Sequence, residues 1–261
     1  MKLAITGKGG VGKTTLTSLL AYHFAAQGNK VLAVDADPSP CLSAALGFPI
    51  ELRNRLKPIA EMESLIHERT GAQPGTMGGY FKLNPRVDDI PERFSVTHRG
   101  ITLLELGAVE KGGSGCICPE SVLLKELVSH ILLRRDEIVL LDMYAGVEHL
   151  GRATVDKVNA MIVVCEPTAR SLATAAQIKT LAADIGLARL CVVGNKIQSP
   201  DDRAYIDSGS PLLVIGFLPN TARVVQADRA NVAVYDAAPQ LAAAAEKVAE
   251  AFDRFVATSV F

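Results

Sequence analysis

The run Gly7-Lys8-Gly9-Gly10-Val11-Gly12-Lys13-Thr14-Thr15 constrains this chain more than any other segment. It follows a short apolar stretch, Leu3 to Thr6, and precedes a helical pattern, which is the strand–loop–helix setting that GxxxxGK[ST] requires. Glycines let successive backbone N–H groups curl around phosphate oxygens, and the helix that follows adds the positive end of its dipole. Gly9, Gly10, Val11 and Gly12 supply that cradle, and Thr15 continues it into the helix. Lys13 is placed to reach the β and γ phosphates, and the Thr14 hydroxyl to take one Mg2+ position. The expected ligand is a nucleotide with its magnesium.

A loop of this type sits at the edge of an α/β sheet, and the rest of the chain agrees. Lys30 to Val34, Ile101 to Leu106, Ile138 to Leu141, Met161 to Cys165, Leu190 to Val193 and Leu213 to Phe217 are Val/Ile/Leu-rich and barely alternate. Such runs suit parallel strands covered on both faces. Helical patterns lie between them: Thr14 to Gln27 before Gly28, Ser171 to Ile185 before Gly186, and an Ala-rich closing helix from near Asp236. The expected fold is α/β, a doubly wound and mostly parallel sheet with helices on both faces, in one domain over residues 1–261. Two stretches rich in turn formers, Thr70 to Gly79 and Ser199 to Pro211, read as mobile loops.

Composition removes several classes of function. The 261 residues are 49% apolar and 21% charged, which excludes a disordered chain. The net charge of −1 gives no footprint for nucleic acid or for an anionic membrane. No apolar run reaches membrane-helix length, and the start lacks a secretory signal pattern, so a cytoplasmic protein with reduced cysteines is expected. The closing helix has few basic residues, chiefly Lys247 and Arg254, too few for membrane targeting.

Two carboxylate motifs follow the phosphate loop in order. The second strand ends Val34-Asp35-Ala36-Asp37-Pro38, at the carboxyl edge where ligands of α/β sheets bind. A later strand ends Leu141-Asp142-Met143-Tyr144-Ala145-Gly146, and an acid there can hold Mg2+ through water. After another strand, Asn195-Lys196-Ile197-Gln198 departs from the guanine-reading Asn-Lys-x-Asp at its last position. Gln198 cannot satisfy the two guanine N–H donors that a carboxylate pairs with, so adenine is the expected base.

Lys8, a second lysine inside the loop, resembles the signature lysine of the deviant Walker A ATPases, which include MinD, ParA and the nitrogenase iron protein. The simpler alternative is a solvated lysine near a polyanion. The resemblance implies that Lys8 crosses a dimer interface to the partner's phosphates. It also places Asp37 in switch I, orienting or deprotonating the attacking water, with Asp35 supporting that loop. Asp142 to Gly146 becomes switch II, with the Gly146 amide sensing the γ-phosphate. Asn195, Lys196 and Pro219 fall where the family receives adenine.

The segment Lys111-Gly112-Gly113-Ser114-Gly115-Cys116-Ile117-Cys118-Pro119-Glu120 adds a second chemistry. Residues two apart on an extended chain share a face, with α-carbons within about 7 Å. Cys116 and Cys118 can therefore offer two thiolates to one soft metal. Closed zinc and square-planar nickel sites want four ligands, and Cys41, Cys165 and Cys191 are scattered elsewhere. A twofold dimer would supply the missing pair; buried thiols or a local disulfide are the alternatives. Glu148 and His149 read as a surface pair at a helix start, His23 as a core or flank histidine, and Arg134 and Arg135 as solvated.

Together the Walker loop, AVDADP, GGSGCICPE, LLDMYAGVEHLGR, VCEP and GNK resemble the CooC-type ATPases, accessory proteins for nickel insertion into carbon monoxide dehydrogenase. The resemblance runs from Met1 to about Pro219. It implies an ATP-hydrolysing homodimer that binds Ni2+ or Zn2+ at its interface, with carbon monoxide dehydrogenase or a related nickel enzyme as client. An iron–sulfur carrier of the same superfamily and a positioning ATPase are the rival readings. Tyr144 departs from the pattern, since switch II is expected to hold a small or acidic residue there.

Overall fold

The computed structural model describes residues 1–74, 80–107, 118–134, 137–144, 146 and 158–258. Eight strands form one sheet: β1 (Lys2–Thr6), β2 (Val31–Ala36), β3 (Val96–His98), β4 (Ile101–Glu105), β5 (Ile138–Met143), β6 (Ala160–Cys165), β7 (Leu190–Ile197) and β8 (Val214–Pro219). Their spatial order is β3-β4-β2-β5-β1-β6-β7-β8. All neighbours are parallel except β3 against β4. The sheet is doubly wound, with β1 between β5 and β6.

The strands lack apolar/polar alternation because both faces are buried. Leu32 and Val34 of β2, Leu141 of β5 and Met161 and Val163 of β6 face one core. There they meet α6 (Pro119–Arg134) through Leu123, Leu127 and Ile131, and α7 (Ala169–Ile185) through Ala175 and Ile178. Their strand neighbours Val31, Ala33, Leu140, Ile162 and Val164 face the opposite core. That side is filled by Leu16, Leu19 and Leu20 of α1 (Lys13–Ala26) and by Val248 and Phe252 of α11 (Pro239–Thr258). Successive side chains point to opposite faces, so a strand between two helical layers must be apolar throughout.

Three expectations change. Ser199 to Pro211 is not a loop: α8 (Pro200–Gly209) fills it. Ser199 and Asp202 form a reciprocal capping box, and Pro200 occupies the first turn, so polar residues here start a helix. The closing helix breaks after α10 (Val234–Ala237), since a residue before proline disfavours the helical region and Pro239 begins a new helix. The edge strand β3 has no signal in the sequence. It is three residues long and turns into β4 through Arg99 and Gly100, both at positive φ, a two-residue turn suited to hairpin twist. Arg99 carries its φ of 51° with its guanidinium 4.5 Å from the Tyr22 ring and paired to Asp236 at 3.0 Å.

Of the short helices, α2 (Leu42–Ala45), α3 (Ile50–Arg53) and α4 (Glu63–Thr70) follow β2, α5 (Ile90–Phe94) precedes β3, and α9 (Arg223–Ala230) follows β8. No helix among the described residues is long and apolar enough to cross a membrane.

Candidate functional site

The glycine loop joins β1 to α1 in the middle of the sheet. Gly7, Gly10 and Gly12 take φ values of 147°, 78° and 99°, a sequence of turns that L side chains resist. Two close approaches reinforce the requirement: a Cβ at Gly7 would lie 2.5 Å from the Val164 carbonyl oxygen, and one at Gly12 2.1 Å from Asn195 Nδ2. The N-terminus of α1 has no side-chain cap and no acid in its first turn, so its N–H groups and positive dipole end are available to an anion. Lys13 is buried, with Nζ 3.4 Å from the Lys8 carbonyl oxygen. Gly12→Ala is therefore expected to weaken ADP binding by about a hundredfold or more, since Asn195 cannot yield without breaking its own bond to the loop. Calorimetric titration with ADP checks this, and unchanged affinity would contradict it.

Asn195 stands behind that loop at the end of β7. It is buried, donates from Nδ2 to the Val11 carbonyl at 2.7 Å and accepts from the Lys196 N–H at 2.8 Å. Lys196 adopts φ 59° and pairs its ammonium with Glu166 at 3.1 Å. Pro219 ends β8 beside Ile197, and the Asn220 N–H donates to the Ile197 carbonyl at 2.8 Å. Asn195 thus touches the phosphate loop, with Lys196 next to it on β7 and Pro219 on the neighbouring strand end.

On its other side lie the two acidic strand ends. Asp35 is fully buried and accepts three backbone N–H bonds, from Asp37 at 3.1 Å, Cys41 at 2.9 Å and Leu42 at 2.8 Å. It fixes the turn from β2 into α2. Asp37, partly exposed, accepts from the Ser39 N–H at 2.9 Å. Burial raises the Asp35 carboxyl above its ordinary range, although those three bonds oppose the shift.

Asp142 has no such support. It is 1% exposed, and neither carboxylate oxygen has a hydrogen-bond partner. Burial, then the charge of Asp35, push it up to about 8, against the smaller pull of the Thr14 hydroxyl and the Lys13 ammonium. A buried carboxylate without partners is costly unless a cation or its water completes it. Thr6 Oγ1 lies 3.1 Å from the Tyr144 and Gly146 carbonyl oxygens and accepts from the Gly146 N–H at 3.3 Å, which ties the chain after β5 to the end of β1. The Tyr144 side chain is half exposed.

A third carboxylate joins the row, and sequence reasoning missed it. Asp35 is in register with Asp142 on β5 and with Glu105 on β4, so three acids stand side by side on neighbouring parallel strands. Glu105 is buried, and desolvation followed by repulsion from Asp35 raises it to about 7. Ser43 and Arg53 oppose the shift, and Glu61 adds to it. Nothing in a lone Glu after an apolar run signals this; only strand order makes it a neighbour of Asp35.

A cavity of about 280 Å³ opens beside the first turn of α1. Thr14, Thr15, Cys41, Val224, Val225 and Asp228 are among its walls. Apolar walls with one carboxylate among them suit a ribose beside the phosphate loop. The valines and Asp228 belong to α9, whose sequence alone shows only a short surface helix.

The Cys-x-Cys segment is described in part. Cys118 is half-buried just before α6, where its carbonyl accepts from Val122 N–H at 3.1 Å and from Ser121 Oγ at 3.0 Å. Cys116 lies outside the described residues, as do Ala145, Glu148 and His149. Cys165 and Cys191 are fully buried in β6 and β7, and burial raises both thiols, Cys165 to about 11. Among the described residues no three His, Cys, Asp or Glu side chains form a metal-binding group. His23 is a flank residue, 3.1 Å from Gln27 Nε2 and edge-on to Phe24.

The sequence has close relatives. It is 48% identical over 240 residues to the carbon monoxide dehydrogenase accessory protein CooC of Rhodospirillum rubrum, covering 92% of this chain and 91% of that one. It is 46% identical over 231 residues to an uncharacterized ATP-binding protein of Methanocaldococcus jannaschii, covering 87% and 88%. Among solved structures, MinD of Aquifex aeolicus superposes with a TM-score of 0.67 at 22% identity, over 96% of this chain and 95% of that one. The Mg-ADP complex of MinD from Pyrococcus horikoshii gives 0.68 at 18%, over 98% and 97%. These identities speak for the fold alone. Residues 2–231 match the model of the CobQ/CobB/MinD/ParA nucleotide-binding domain. With that match and the CooC relative, the chain belongs to the CobQ/CobB/MinD/ParA family and is a CooC-type ATPase within it.

Proposed function

We propose that this chain is a single-domain, homodimeric ATPase that carries a metal ion, Ni2+ or Zn2+, on the paired Cys116 and Cys118 thiolates of two subunits. Its client would be carbon monoxide dehydrogenase or a related nickel enzyme, as the name of the Rhodospirillum rubrum relative suggests. The observation that carries the reading is the link between the segment leading to the cysteines and switch I. Leu106, which follows β4, donates its N–H to the Asp35 carbonyl at 2.8 Å, and its own carbonyl accepts from Ala60 at 2.9 Å. In this reading a movement of the Asp35–Asp37 turn would pass through Leu106 to the chain that leads on to Cys116.

In this reading the loop N–H groups and Lys13 hold the β and γ phosphates. The orphaned Asp142 carboxylate, next to Thr14, fits a hydrated Mg2+, so Thr14 and Asp142 would hold the ion, directly and through water. Bound Mg2+ supplies charge neutralisation between the phosphates. Asp37 orients or deprotonates the attacking water, the Gly146 N–H meets the γ-phosphate, and Lys8 of each subunit reaches the partner's nucleotide. Adenine lies against Asn195, Lys196 and Pro219, with the ribose toward Val224, Val225 and Asp228. Because ATP draws the subunits together, it brings two cysteine pairs into range of one ion. Linkage is reciprocal, so ATP and metal must tighten each other by the same factor.

The test is a Ni2+ and Zn2+ titration of the reduced protein with light scattering, with and without ADP or a non-hydrolysable ATP analogue. At the paired cysteines one ion per dimer is expected, lost in Cys116→Ser/Cys118→Ser and shifted by nucleotide. Binding indifferent to both cysteines and nucleotide would leave a dimeric ATPase switch with another cargo. A brown species after iron and sulfide reconstitution would turn the reading to a cluster carrier.

A further inference from the structure

We propose that Cys41, Thr14 and Asp142 form a binding site for a thiophilic divalent cation at the place where Mg2+ accompanies the nucleotide. The inference rests on the reading of Thr14 and Asp142 given above and adds a ligand of different chemistry. Cys41 begins α2, held in place by its backbone N–H on the buried Asp35 carboxylate at 2.9 Å. Its thiol is exposed, lines the cavity with Thr14 and Thr15, and lies 3.6 Å from Thr14 Oγ1. Oxygen and sulfur ligands at about 2.1 and 2.3 Å from one ion, at a tetrahedral angle, stand about 3.6 Å apart. The spacing therefore admits a shared ion without moving either residue.

A single thiol does not make a site, and the independent observation is Asp142. Its carboxylate is buried, both oxygens are without partners, and Thr14 is the hydroxyl beside it. A cation held between Cys41, Thr14 and Asp142 would give the Asp142 oxygens the partner they lack. Mg2+ is a hard ion that gains little from sulfur, whereas Zn2+, Co2+ and Ni2+ accept a mixed oxygen and thiolate set. The nucleotide site would then respond to the same class of ion that the paired cysteines carry, and excess thiophilic metal would compete with Mg2+ for the phosphates.

The experiment uses the full chain with Cys116→Ser/Cys118→Ser, reduced and free of nucleotide, titrated with Co2+. The readout is the near-ultraviolet thiolate-to-cobalt absorption band. One Co2+ per chain is expected, displaced by Zn2+ and by Mg·ADP. The band should vanish on adding Cys41→Ser or Cys41→Ala, both of which keep the backbone N–H to Asp35. Asp142→Asn should keep the band but weaken Co2+ by about tenfold or more, with circular dichroism verifying the fold of each variant. No band in the Cys116→Ser/Cys118→Ser protein, a band that survives loss of Cys41, or one indifferent to Mg·ADP would overturn the proposal. The difference between the natural protein and the Cys116→Ser/Cys118→Ser variant reports on the paired cysteines separately, so either site can fail without the other.

Discussion

Asp142→Asn is expected to lower ATP turnover by about 10²–10³-fold while making the nucleotide-free protein more stable above pH 8. The loss of turnover follows from removing a preorganised charge that stabilises the ion on the phosphates. The gain in stability follows from the same burial. Asp142 is pushed up to about 8 in the folded chain, against about 4 when unfolded. Between those values the native state keeps a proton that the unfolded state has lost, so stability falls as pH rises through the window. Above pH 8 the charge is buried without a hydrogen bond, at a cost of about 2 kcal/mol or more. Asparagine carries no charge, and its buried amide costs less than the unpaired carboxylate. Urea unfolding at pH 5, 7 and 9 without nucleotide measures this. The variant should gain most at pH 9 and least at pH 5. Glu105, raised to about 7, leaves a shallower slope of the same sign in the variant. Equal stability of the two proteins at pH 9 would contradict the account. Mg·ADP should flatten the slope of the natural protein, because the ion gives Asp142 its partner.

Asp142, a buried carboxylate without partners, is legible in the sequence, and other parts of the candidate site are not. The phosphate loop was readable because its chemistry is local. Gly7, Gly10 and Gly12 are required by their φ values, and Lys13 and Thr14 by their place at the helix start. Asp35 and Asp142 were readable because they end apolar runs, and a charge at the end of a buried strand needs a reason. Glu105 ends such a run too, yet its meaning depends on β4 lying beside β2, an adjacency that β-strand sequence does not encode. The cavity wall on α9 was hidden for the same reason, since Val224, Val225 and Asp228 meet Thr14 only after β8 has joined β7. The misread segment after Ser199 shows the opposite fault. Serine, proline and aspartate favour loops, but Ser-Pro-x-Asp is also the pattern that caps and begins a helix.

Lys8→Ala is expected to separate holding a nucleotide from hydrolysing it. The Lys8 carbonyl serves its own chain, accepting from Lys13 Nζ and from the Val11 N–H, each at 3.4 Å. An alanine keeps that carbonyl and leaves the turns set by the neighbouring glycines. The Lys8 ammonium forms no ion pair among the described residues, so its removal breaks nothing within the subunit there. ADP affinity should therefore stay within about threefold. A cation supplied in trans to transferring phosphate is worth about 10³–10⁵ in rate. Turnover should fall by about 10³-fold, and light scattering should no longer report a dimer with the ATP analogue. If metal is clamped between the subunits, nucleotide-dependent metal binding must fail with it, although Cys116 and Cys118 are intact. A variant that binds ADP poorly would show that Lys8 acts on its own subunit's phosphates. One that still dimerises and hydrolyses ATP would leave Lys8 a solvated lysine beside a polyanion, and the coupling of nucleotide to metal would need another contact.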